Sequence, residues 1–215
     1  MDTEVKLISG GVYKTILSED PVRILMFDNI DVFYDAYWSS LDKWTFASSL
    51  KSSGTYYRTS PNIFLRNATF LRQQPLTTEE INTFRPNLPI RLCRNKQMSW
   101  TDKIFSNLND YKTYASQFGC DISNNIILPV PSITLEPFGA KGRVTSLKST
   151  LLTSVDKNGF SNIELLWLAN NIQAEHSQHI VDKGIGIYRS GHKKKVPSYY
   201  IWGYYDMAGN IPTEQ

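Results

Sequence analysis

His176 and His179 stand three residues apart, close to one turn of a helix, with Glu175 beside them and His192 further along the chain. Imidazoles on one helical face with a carboxylate nearby are a donor set that zinc accepts. The four-residue spacing of a zinc-binding helix, H-E-x-x-H, is not present. A histidine near a helix C-terminus is already favoured by the helix dipole. His176 and His179 are therefore expected to be structural, with no metal and no cofactor.

Just downstream lies a second kind of chemistry. Arg189 and the run His192-Lys193-Lys194-Lys195 precede Tyr199-Tyr200-Ile201-Trp202-Gly203-Tyr204-Tyr205. Cations interleaved with rings suit single-stranded nucleic acid, because bases stack on the rings while lysines follow the phosphates. Large rings also anchor protein interfaces. The candidate binding residues are Arg189, His192, Lys193, Lys194, Lys195, Tyr200, Trp202 and Tyr204. On a strand, Tyr200, Trp202 and Tyr204 share one face, and Tyr199, Ile201 and Tyr205 share the other. The first set is expected to be mostly buried. The 190–195 loop is expected in solvent, since an unpaired ammonium is costly to bury.

Other residues carry weaker chemistry. Asp31 and Asp35 share a strand face about 13 Å apart at the usual rise per residue, too far to hold one Mg²⁺. Asp28 suits a turn. Cys93 has Arg91 and Arg94 close in sequence, and positive charge favours a thiolate, but no motif supplies it with a partner base. Cys93 and Cys120 form no C-x-x-C pattern, so a reduced pair is expected. G-x-S-x-G, G-x-x-x-x-G-K-[ST] and G-x-G-x-x-G are all missing, and no catalytic residue is assigned.

The elements that must position these residues follow from periodicity. Alternation predicts strands over 11–17, 22–27, 30–38, 44–46 and 55–58. A two-residue turn at Asp28-Asn29 would place Leu25 and Phe27 on the face of Ile30 and Val32. The Thr77-x-x-Glu80 spacing predicts a short capped helix that Pro86 must end. Ile104, Leu108, Tyr111, Ala115 and Phe118 predict a helix over 101–118, closed by Gly119. Strands return over 125–130, 133–138 and 144–152. Ser161-x-x-Glu164, with Phe160 as a staple, opens a helix over 162–182. A hairpin of 185–189 and 198–205 closes the chain. The fold class is α+β, with a strand-rich N-terminal third (meander or small barrel), two main helices and a C-terminal β-hairpin. With no repeat and no linker, 1–215 reads as a single domain, the alternative being a division into 1–60 and 61–215.

Composition sets the function class. A 41% hydrophobic, 20% charged chain with 13% aromatic residues folds rather than staying disordered. A net charge of +3 leaves room only for a local polyanion patch. The acidic start at Asp2 and Glu4 lacks the basic region of a signal peptide, and no run approaches the ~18 apolar residues of a membrane span. A cytoplasmic protein with no membrane partner is expected. The leading reading is a non-enzymatic binding or interaction protein of accessory, immunity or viral type, with a protein as its macromolecular partner. The first alternative is a nucleic-acid-binding protein using the C-terminal hairpin. The second is an enzyme with a histidine-centred site near His176.

Overall fold

The β-branched and aromatic residues of the first third do form strands, and their alternation decides which core each side chain enters. A computed structural model describes residues 6–45, 57–138, 148–176, 184–193 and 195–202. The fold is α+β. Internal contacts divide the chain into two compact units, Met1–Ile90 with Ser190–Lys195, and Arg91–Arg189 with Val196–Gln215.

The first unit contains β1 (Gly11–Thr15), β2 (Ser18–Phe27), β3 (Val32–Trp38), β4 (Lys43–Thr45), β5 (Tyr57–Thr59), α1 (Pro61–Leu65), β6 (Thr69–Gln73) and α2 (Thr78–Phe84). The strands form one antiparallel meander in the order β4-β3-β2-β1-β6, with β5 also pairing β3. Both faces of β2 and β3 are covered. Tyr13, Val22, Ile24, Val32 and Tyr34 pack with Phe64 of α1 and with Ala68. Leu25, Met26 and Phe33 pack with Phe84 of α2 and with Ile90. This overturns the expected hairpin register, which put Leu25 with Val32. An irregularity between Ile24 and Met26 shifts the pairing. The connection is also longer than a two-residue turn. Asp28 N–H donates to the Asp31 carbonyl at 2.9 Å, and its carboxylate accepts from the N–H groups of Ile30 and Asp31 at 2.8 and 2.7 Å. Both helices are capped as their sequences dictate. Ser60 accepts from Ile63 N–H with Pro61 in the first helical turn, and Thr77 and Glu80 form a complete capping box.

The second unit holds β7 (Arg91–Asn95), α3 (Leu108–Ser116), β8 (Ile126–Leu128), β9 (Ser132–Glu136), β10 (Thr150–Thr153), β11 (Phe160–Ser161), α4 (Asn162–Ala174), β12 (Ile185–Lys193, whose residues from Ser190 on count with the first unit) and β13 (Val196–Trp202). Its sheet runs β10-β9-β13-β12-β7, while β8 and β11 make a separate pair. The β9–β13 pairing is parallel and the β10–β9 and β12–β7 pairings are antiparallel. Helix α4 starts at Ser161 as expected, with Ser161 Oγ accepting from Glu164 N–H at 3.3 Å. The capping box is only half formed, because the Glu164 carboxylate instead accepts from Val155 N–H at 2.7 Å.

Helix α3 begins later than 101, and the reason lies on α4. Asn170 accepts from Thr101 N–H at 3.1 Å and donates to the Lys103 carbonyl at 3.0 Å. Asn171 accepts from Phe105 N–H and donates to the Phe105 carbonyl, both at 2.9 Å. These amides bond the backbone of 101–105 as a neighbouring strand would, and so hold it out of the helix. Asn107 then caps α3, accepting from Asp110 N–H at 2.9 Å.

Candidate aromatic binding face

The sheet of the second unit has one well-buried face and one mixed face. Leu92, Ile133, Leu135, Leu152, Ile185, Ile187, Tyr199 and Ile201 line the buried face. Strand alternation and register put Arg91, Thr134, Glu136, Tyr188, Tyr200 and Trp202 on the other.

A connected row of rings crosses that mixed face. The Tyr188 ring lies back over Gly186, where a Cβ would come within 2.9 Å of it, so the strand needs glycine there. Arg91 is directly opposite Tyr188 in register, and its guanidinium lies 5.3 Å from the ring centroid. Tyr200 follows at 5.7 Å from Tyr188, and Trp202 at 6.4 Å from Tyr200. Phe138 meets Trp202 edge to face at 4.3 Å. Two backbone anchors fix the far end of the row. Trp100 Nε1–H donates to the Trp202 carbonyl at 3.1 Å. The Gln173 amide accepts from Phe138 N–H at 2.8 Å and donates to its carbonyl at 3.1 Å. Arg91, Phe138, Tyr200 and Trp202 are half-buried, and Tyr188 is buried. Glu136 stands beside Tyr200, and Thr134 beside Ser198. Leu151, paired with Thr134 at the border, is 62% exposed. Rings, one guanidinium and one carboxylate make a surface suited to stacking, cation–π and hydrogen-bond contacts.

The face assignment of β13 is the reverse of the expected one. Tyr199 and Ile201 enter the core, and Tyr200 and Trp202 lie on the mixed face. Alternation alone leaves that choice open. The aliphatic residues of β9 and β12 decide it, since burying Tyr200 and Trp202 would expose Ile133, Leu135, Ile185 and Ile187.

The other candidate residues scatter. Arg189 is 1% exposed and, by alternation, shares the face of Ile187, so it is no surface ligand. The expected 190–195 loop is mostly strand, because β12 continues to Lys193. His192 is buried, with its ring edge on Phe84 at 5.7 Å. Lys195 is exposed in the turn with φ +67°. The side chain of Lys193, with Lys194, Tyr204 and His179, lies outside the described residues. His176 is half-buried, and its N–H donates to the Gln173 carbonyl at 2.8 Å, just past the end of α4. Among the described residues, no three His, Cys, Asp or Glu side chains converge as metal ligands.

Asp31 pairs with Arg58 at 3.6 Å. Burial pushes the Cys93 thiol far above its usual pKa, with Cys120 adding to the effect, so Arg91 and Arg94 do not activate it. Cys93 sits at φ +56° where the β7–β12 register shifts, and its thiol points to the Asn162 carbonyl at 3.8 Å. Both cysteines are free thiols.

Sequence reasoning missed Arg91 and Phe138. Arg91 is read there only as a charge near Cys93, and Phe138 only as the end of a strand. The Gly186-x-Tyr188 pattern was the available signal, since a glycine two residues from a tyrosine on one strand face makes room for the ring. Compared with protein families, curated proteins and solved structures, the chain matches none.

Proposed function

We propose that this protein acts by binding another macromolecule, a protein in the first instance, through the mixed face of the β7–β9–β10–β12–β13 sheet. The observation that carries this reading is the ring row from Tyr188 to Phe138, with its half-buried members Tyr200 and Trp202. Rings set among polar neighbours are the composition of interface anchors. Leu151 shares the face and is 62% exposed, so it can carry a photoreactive benzoylphenylalanine. Ile104, equally exposed at 62% on a loop, is the control position. Irradiation in cells should give discrete adducts from position 151 and none from 104. Equal labelling at both positions, or none at 151, contradicts the proposal.

A second reading, single-stranded nucleic acid on the same face, is favoured by the guanidinium of Arg91 over Tyr188 beside Tyr200. Nuclease treatment before electrophoresis separates the two. Adducts that persist are protein, and adducts that collapse are nucleic acid.

A further inference from the structure

One pair in the first unit is buried without being apolar. Arg23 on β2 and Asp35 on β3 stand opposite each other in register, 1% and 0% exposed. Arg23 donates from Nη2 to Asp35 Oδ2 at 2.8 Å and from Nε to Oδ1 at 3.3 Å. The same guanidinium reaches Glu80 on α2, with Nη2 to Oε1 at 2.7 Å and Nη1 to Oε2 at 3.4 Å. Glu80 Oε2 also accepts from Thr77 N–H at 2.8 Å, closing the capping box of α2. From β4, Trp44 lies against the guanidinium, its ring centroid 4.7 Å from the central carbon. His192, on Phe84, is a further titratable group packed against α2.

One cation therefore serves two carboxylates. With all three groups ionised the cluster carries a net negative charge, and uncompensated charge in the interior is strongly unfavourable. That excess exists only while α2 is docked, because α2 supplies Glu80. With α2 lifted away, Arg23 and Asp35 are a balanced pair. Docking and proton uptake are thus linked, and the docked state, with its excess negative charge, binds the proton more tightly.

We propose that this cluster is a proton-operated latch on α2. As pH falls, the Asp35 carboxylate takes one proton from solvent to become a neutral acid. The cluster's net charge goes to zero, Arg23 turns to Glu80 as its one counter-charge, and α2 is held more firmly against the sheet. Burial is the larger influence on Asp35 and lifts its pKa to about 6 against the opposing pull of Arg23. Burial raises Glu80 too, but hydrogen bonds from Arg23 and Thr77 outweigh it and keep that carboxyl below its usual value. Asp35 is the site of protonation and Glu80 stays ionised.

The test is amide hydrogen exchange of residues 78–84 between pH 8 and 5, corrected for intrinsic rates, with a ¹³C-carboxyl titration of Asp35. In the wild-type chain, exchange across α2 should slow by up to about tenfold per pH unit below pH 6, and Asp35 should titrate near 6. Glu80→Gln removes the second charge, so Asp35 should titrate lower and the pH dependence of α2 should flatten. Asp35→Asn should flatten it too. If Asp35→Asn fails to fold, the wild-type and Glu80→Gln titrations decide. An Asp35 midpoint in the ordinary carboxylate range, or a Glu80→Gln protein with unchanged pH dependence, overturns the proposal.

Discussion

The amide side chains of α4 carry structural weight that their polarity disguises. Asn170 and Gln173 are fully buried, and each satisfies two backbone groups of an irregular segment. Gln173→Met should cost about 1–3 kcal/mol in denaturant unfolding, because the N–H and C=O of half-buried Phe138 lose their partners together. Equal stability would show that water replaces the amide. Asp35 carries a pH prediction with a definite sign. Burial lifts its folded pKa to about 6, from the 3.8 of a free aspartate. Its stabilising contribution is thus fully present below pH 4 and lost as pH rises through 6, on the order of 3 kcal/mol at 1.36 kcal/mol per unit. Urea midpoints should rise from pH 8 to 5 in the wild-type chain and stay level in Asp35→Asn. A wild-type midpoint that falls over that range contradicts the assignment. Asp28 was legible as a turn residue from its type alone. The Arg23–Asp35 pair was not, because a strand covered on both faces gives no signal of which polar residue is buried.

The helix starts marked by a Thr/Ser-x-x-Glu spacing were the most legible elements. Thr77 and Ser161 cap where their spacing places them, because a cap is a local hydrogen bond between a side chain and the next turn. Helix length was less so, as α3 loses its first turns to the amides of Asn170 and Asn171. Gly119 takes φ +67° as expected, and a Cβ there would have nothing within 4 Å. Gly119→Ala should therefore cost about 1–2 kcal/mol from backbone conformation alone, and Gly119→Asn less. Thermal unfolding of the two variants checks this, and equal losses would point to a hidden contact. Strand β13 shows the limit of alternation. It separates Tyr199 and Ile201 from Tyr200 and Trp202, but the inward face is set by β9 and β12. Tyr199→Ala should destabilise by roughly 3–5 kcal/mol, as a large core ring does.

On the scale of the whole molecule, composition indicated a folded chain and periodicity an α+β one, and the structure has that class. No helix among the described residues is long and apolar enough to cross a membrane. The division after Ile90 left no mark in sequence, since Pro89-Ile90-Arg91 is no longer or more polar than an ordinary connection. The proposed binding face was legible in part. Tyr200 and Trp202 stand out by residue type, but Arg91 and Phe138 join them only through register and through a glutamine on another element. We propose that this face binds while the opposite face stabilises. The decisive measurement is a calorimetric titration of the partner captured at position 151 against the wild-type and Tyr200→Ala chains. Tyr200→Ala should lose about thirtyfold or more in affinity, the mark of a hot spot near 2 kcal/mol, with a melting temperature close to wild type. Unchanged affinity with a large fall in melting temperature would instead make Tyr200 a core residue and leave this face without a binding role.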